Sequence, residues 1–169
     1  MTDSATFPGG FTLAPATQGE IDYVEANYRE GDRREQEMEG GGRTMLDEFE
    51  RCWTVRAANS DIVGYFGVMA PRDASFMSRT RMFCFMSCAN ANRHKFAFVK
   101  ASRPVFRWVA ERCPPWTDTF RACPLESYRE SVRWQRRTLG MRQVGRVPAG
   151  SSDFYAIMEI TRQEVEQWE

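Results

Sequence analysis

The apolar positions change period several times along the chain, and each change predicts an element. Phe11 and Leu13 alternate with polar neighbours ahead of Pro15, which predicts a short strand. Thr17 followed by Glu20 is a capping-box pattern, in which side chain and backbone satisfy each other at a helix start. Ile21, Val24 and Tyr28 then recur at helical spacing. They predict one helix that leaves the core in "REGDRREQEMEGGG" and ends at Gly40 to Gly42. Glu30/Arg34 and Arg33/Glu37 stand four residues apart there, the spacing of ion pairs on a solvated helix face.

Two β-prone runs, Cys52 to Ala57 and Ile62 to Met69, flank Asn59-Ser60-Asp61 and predict a hairpin. After a loop holding Pro71 and Asp73, "RTRMFCFMSC" reads as a central strand. Phe96, Val99, Phe106 and Val109 predict a helix over Asn92 to Arg112 with these four facing the core. Pro104 should kink that helix or restart it after Ser102, and Pro114 and Pro115 should stop it. "TDTFRACP" predicts a strand, and "LESYRESVRWQRRTLGM" a helix closed by Gly140. Two last strands, Arg142 to Val147 and Phe154 to Ile160, flank "PAGSS" ahead of a charged tail. The expected fold class is α+β: a three-layer α/β/α arrangement with a mixed central sheet and helices on both faces. With no repeat or linker in sight, one domain is expected over residues 1–169.

Composition narrows the partners. At 169 residues and 42% apolar, with 12 Phe and 5 Trp, the chain can fill a core without metals or disulfides. Lys plus Arg and Asp plus Glu number 23 each, so the global basic field of a nucleic-acid or anionic-membrane binder is missing. No apolar run approaches the ~20 residues of a membrane span, and "MTDSATFPGG" does not read as a leader. The five Cys (52, 84, 88, 113, 123) are odd in number and scattered, which suits a reduced cytoplasmic compartment. Cys84, Cys88 and the lone His94 lack the second Cys pair of a zinc site, so no metal is expected.

The order of elements from Phe11 to Ile160 resembles the GNAT superfamily of acyl-CoA N-acyltransferases. "CWTV…DIVGYFGV" looks like that family's second and third strands, and "FMSCANANRHKFAF" occupies the place of its fourth strand, pyrophosphate loop and third helix. "ESVRWQRRTLGMRQVGRV" looks like its closing helix, turn and strand, with Leu139-Gly140-Met141 for the usual Leu-Gly-Phe. A narrower likeness, to small GNAT-like proteins of tailed bacteriophages and prophages, is carried by Arg29, Asp32, Arg33 and Glu35. It implies a bacterial host cytoplasm or a virion as the place of action.

The resemblance implies acetyl-CoA as cofactor, bound through Ser87, Ala89, Asn90, Asn92, Arg93 and Lys95, and an amine acceptor whose identity it leaves open. The family's loop carries Gly where the backbone approaches the pyrophosphate, yet this chain has no Gly between Gly67 and Gly140. Asn tolerates the left-handed backbone and Arg93, His94 and Lys95 add charge beside a helix start, so an anion site of weak affinity is expected. The family's catalytic Tyr, four residues before the closing Gly, falls on Arg136, which cannot serve as an acid at neutral pH. Tyr128 and Tyr155 are the available acids, and Glu35 is the candidate base, its plainer reading being a surface ion pair. The basic set Arg129, Arg133, Arg136 and Arg137 reads as a solvated helix face. An alternative function follows from the same departures: a non-catalytic interaction module whose partner is a phage or host protein.

All five thiols are therefore expected to titrate as free with a disulfide-exchange dye in unfolded, non-reduced protein. Fewer than four would overturn the reduced-compartment expectation.

Overall fold

The computed structural model describes residues 3–71 and 78–168, so the expected loop residue Asp73 lies outside the described residues. Its strands are β1 (Ala5–Phe7), β2 (Phe11–Pro15), β3 (Arg51–Arg56), β4 (Ile62–Met69), β5 (Thr80–Ser87), β6 (Thr119–Ala122), β7 (Arg142–Ala149) and β8 (Asp153–Thr161). The helices are α1 (Gln18–Ala26), α2 (Glu30–Met38), α3 (Lys95–Arg112), α4 (Arg129–Arg137) and α5 (Arg162–Glu166). The sheet runs β1-β2-β3-β4-β5-β6-β8-β7. It is mixed: β5 and β6 pair in parallel over Thr80–Met82 and Thr119–Arg121, whereas β2–β3, β3–β4, β6–β8 and β7–β8 are antiparallel. The fold class is the α+β arrangement expected of the sequence.

Residues Met1–Met69 with Cys84–Ala101 form one compact unit, and Ala70–Phe83 with Ser102–Glu169 a second. In the first, β5 is buried on both faces, as a central strand covered by helices must be. Met86 and Cys88 pack with Ile21 and Val24 of α1 and with Tyr65 of β4. Phe85, on the opposite face, stacks on Phe98 of α3 at 4.7 Å between ring centroids. Gly64 lies where a Cβ would collide with the Met86 carbonyl oxygen, so β4 can approach β5 only without a side chain there. The capping box holds as expected, with the Glu20 amide donating to Thr17 Oγ1 and the Thr17 amide to Glu20 Oε2.

The second unit centres on Phe106, whose ring meets Phe83, Phe120 and Trp168 with centroids 4.8, 5.5 and 5.8 Å away. Trp134 of α4 donates its indole N–H to Ser102 Oγ of α3 at 2.9 Å. Gly140, at φ +71°, makes the left-handed turn that closes α4. Arg129, Arg133, Arg136 and Arg137 are exposed, as a solvated face requires.

Four expectations are corrected. The helix from Thr17 to Glu39 is two helices, broken at residues 27–29. α3 is preceded by a 3-10 turn over Ala89–His94 and runs through Pro104 without a break. Pro104 sits on the exposed side, so the carbonyl its ring deprives of a donor faces water. Phe96 and Val99 lie outside the core, and Phe98, Ala101 and Val105 supply the inward face instead. The charged tail carries a helix, α5, opened by a second capping box between Thr161 and Glu164 and anchored by buried Val165.

Gly64→Ala should lower stability to chemical denaturation by about 1–3 kcal/mol, the usual cost of forcing atoms into a packed site. Gly19→Ala, which meets no atom within 4 Å in the first turn of α1, should be neutral or stabilising. Equal effects at the two positions would contradict the close β4–β5 approach.

Candidate functional site

β5 does not simply run out into a loop. Cys88 continues the ladder, its amide donating to Val63 O at 2.9 Å, and it bridges to Tyr28 on its other side. The segment between α1 and α2 thus lies along the end of β5. Arg29 N donates to Ser87 O, and Ala89 N donates to Asn27 O, both at 2.9 Å. One turn into α2, Asp32 is 3% exposed and accepts a hydrogen bond from Ser87 Oγ at 2.6 Å, with Ser87 itself 2% exposed. A carboxylate so far from water is held only by donors of this kind.

The turn after Cys88 is internally bonded. Ala91 N donates to Cys88 O, and Asn90 Nδ2 donates to Ile62 O at 3.1 Å. Asn90 Oδ1 is buried with no hydrogen-bond partner among the described residues. Asn92, Arg93 and Lys95 are exposed. His94 sets its ring edge-on to Phe11 at 6.3 Å.

The expected cofactor residues therefore divide. Ser87 and Asn90 turn their polar groups inward, and Ala89 has its amide engaged. Asn92, Arg93 and Lys95 offer theirs to solvent. Among the expected catalytic residues, Glu35 is half-buried on α2, one turn beyond Asp32, where its charge helps raise the Cys84 thiol. Tyr128 stands at the N-cap of α4 rather than within it, with its amide donating to Leu125 O. Tyr155 on β8 bridges to the same Leu125 through its backbone, and both tyrosines belong to the second unit. Glu35 belongs to the first unit.

Two features escaped the sequence reading. Asp32 is the carboxylate that reaches the end of β5; a polar Ser87 closing an apolar strand was the signal that a partner must exist. Beneath α1, Tyr28 and Tyr65 share a hydrogen bond between their hydroxyls at 3.3 Å. Burial pushes both phenols well above their ordinary range. Among the described residues, no group of three or more His, Cys, Asp or Glu converges on a metal position.

No protein-family model matches the sequence, and no curated protein matches it. Solved structures do. The aminoglycoside acetyltransferase AAC(6')-Ib, in complex with paromomycin and acetyl-CoA, aligns with a TM-score of 0.68 at 16% identity, over 93% of this chain and 96% of the other. An N-acetyltransferase from Staphylococcus aureus aligns at 0.67 and 15%, over 90% of this chain and 99% of the other. A chimeric spermidine N-acetyltransferase SpeG from Vibrio cholerae aligns at 0.64 and 12%, over 94% and 99%. The chain has the acetyltransferase fold. At these identities the likeness is one of fold, and the chemistry rests on the residues present.

In this acetyltransferase fold the thiols of the first unit are core residues. Burial pushes Cys52 up to about 12 and Cys88 up to about 11, and it raises Cys84 as well, with Cys52, Glu39 and Glu35 adding to that rise. The folded state holds these groups protonated, while the unfolded chain releases their protons near the ordinary 9.0. Their contribution to stability is complete below that pH and is lost as pH rises through the folded values. Native protein at pH 8 should leave Cys52 and Cys88 unmodified by iodoacetamide over a time that fully alkylates the unfolded chain, and stability should fall from about pH 9 upward. Rapid native alkylation at either residue would contradict their burial.

Proposed function

We propose that the protein is an acyl-CoA-dependent N-acetyltransferase of phage or prophage type, acting on an amine acceptor. The observation that carries the acetyltransferase part of this reading is the fold match over nine-tenths of the chain to enzymes whose structures hold acetyl-CoA or coenzyme A, and its phage type rests on the resemblance of the Arg29-to-Glu35 stretch alone. At the corresponding strand–turn–helix, this chain presents exposed Arg93 and Lys95. Two cations beside a helix start favour the phosphates of such a carrier.

The residues fit the group's charge better than its shape. With Ala89 N bonded to Asn27 O and Ala91 N bonded to Cys88 O, two amides of the turn are spent inside the protein. The Ser87 hydroxyl is spent on Asp32. Arg93 and Lys95 would hold the pyrophosphate from their side chains, farther from the backbone than a Gly loop allows. When bound, acetyl-CoA supplies the activated acyl group. The chain's carboxylates and tyrosines, Glu35, Tyr128 and Tyr155, are the groups proposed to take up the ammonium proton and return one to the leaving thiolate.

The engaged turn favours a second reading, a non-catalytic interaction module of virion or host-directed type. The Arg29-to-Glu35 stretch that carries the phage likeness uses Asp32 to fasten α2 onto β5, which is a structural task.

Calorimetric titration with acetyl-CoA separates the two. Each lost hydrogen bond to a charged group costs roughly 1.5–3 kcal/mol, so binding should fall between micromolar and near-millimolar strength. Arg93→Ala combined with Lys95→Ala should abolish it. Ala89→Gly combined with Asn92→Gly should strengthen it. No heat and no thermal shift with the unmodified protein at saturation would leave the interaction module standing in place of the enzyme.

A further inference from the structure

The four arginines of α4 carry charge that the fold does not use. Arg129, Arg133, Arg136 and Arg137 follow one another at spacings of four, three and one, which puts them on one side of a helix of nine residues. All four are exposed, and none forms a side-chain hydrogen bond or ion pair with a described residue. The other side of α4 is anchored, with Gln135 buried and Trp134 tied to Ser102. The stripe runs about 12 Å along the axis and holds four guanidinium groups toward water on a fixed base. Residues 123–141 contain only two acids against these four Arg, and one of them, Glu126, is taken by Gln143.

The opposite charge is collected elsewhere in the chain. The first unit holds 13 acidic and 9 basic residues and the second 10 and 14, so the formal net charge of zero divides into −4 and +4. Residues 37–50 alone account for the acidic excess: Glu37, Glu39, Asp47, Glu48 and Glu50 are all exposed, with Arg43 the one base among them. Arg43 is already paired with Asp22 at 2.5 Å. Glu37 and Asp47 form no ion pair with a described residue. Glu37 also sits in the last turn of α2, which has no basic residue. The negative end of a helix dipole lies there, so an incoming cation is favoured by the carboxylate and by the helix end together.

We propose that the arginine stripe of α4 docks on residues 37–50 of a second copy of this chain. An apolar partner would strip water from four guanidinium groups and return no acceptor. A small anion would engage one or two of them and leave the rest. A run of exposed carboxylates answers all four, and every copy displays one. The stripe is built from Arg without Lys, and Arg meets carboxylates through paired, planar N–H contacts. Each exposed pair contributes little, so the contact depends on their sum and weakens as salt screens it. The contact does not depend on the acyl-CoA reading.

The test is sedimentation velocity of the full chain at about 25 and about 300 mM sodium chloride. Unmodified protein should self-associate at the lower salt, and its dissociation constant should rise by about tenfold or more at the higher. Arg133→Glu combined with Arg137→Glu should be monomeric at the lower salt, and so should Glu37→Lys combined with Asp47→Lys. These side chains are exposed and unbonded in the fold, and a thermal melt checks that both variants stay folded. An equimolar mixture of the two variants should associate again, because it restores opposite charge across the contact. Unmodified protein that stays monomeric at low salt and near-millimolar concentration overturns the proposal and leaves the stripe to a polyanion other than this chain. Self-association that either pair of substitutions leaves unchanged, or that the mixture fails to restore, overturns it as well.

Discussion

The buried carboxylate of Asp32 is the constraint on which the first unit depends. Desolvating a charge is costly, and the cost is met only when a donor is fixed in place beside it. Ser87 is that donor, because the ladder to Val63 and the Arg29 amide together fix the end of β5. The consequence runs outward in both directions along the chain. Residues 27–29 must pair with the end of β5, so the helix capped by Thr17 has to break. Tyr28 is thereby turned onto Cys88 and Tyr65, and it closes the core under α1. On the other side, the turn after Cys88 starts with its first amide already taken.

That fastening changes what an acetyltransferase fold can offer at this turn. A glycine loop binds phosphate by leaving its amides open and its backbone bare. Here the amides of Ala89 and Ala91 serve the protein, and a 3-10 turn leads straight into α3. What the segment turns outward is side-chain chemistry: Arg93, Lys95, Phe96 and Lys100. On the acyl-CoA reading proposed above, phosphate contacts would come from these side chains rather than from backbone dipoles. Contacts of that kind give up close geometry, since flexible cations lose entropy when they are fixed.

Close approach of strands is the second condition for this arrangement. β5 is covered on one face by α1 and on the other by α3, and Gly64 lets β4 sit against Met86 without a side chain between them. The Phe85–Phe98 stack then sets the rotation of α3 about its axis. With Phe98, Ala101 and Val105 turned inward, Phe96 has no place in the core.

Much of the architecture was legible in the residues. The β3–β4 hairpin, the central strand β5, the Thr17–Glu20 cap, the Gly140 closure and the strand pair at the end of the chain are local features. Turn chemistry, capping and apolar period specify them within a few residues of sequence. Sequence pattern also marked the stretch from Ser87 to Lys95 as the candidate site, because a polar knot between an apolar strand and a basic helix start is visible in the residues alone. Tertiary structure alone decided three things. It broke the first helix, because the demand on Tyr28 and Asp32 comes from β5, more than fifty residues away. It chose Phe98 over Phe96 for the core, because the two rings stand on nearly opposite sides of the helix, each with apolar residues at helical spacing, and the facing Phe85 ring decides between them. It spent the turn's first amide, that of Ala89, on Asn27, because hydrogen-bond partners brought together by folding leave no mark on the spacing of the residues that carry them.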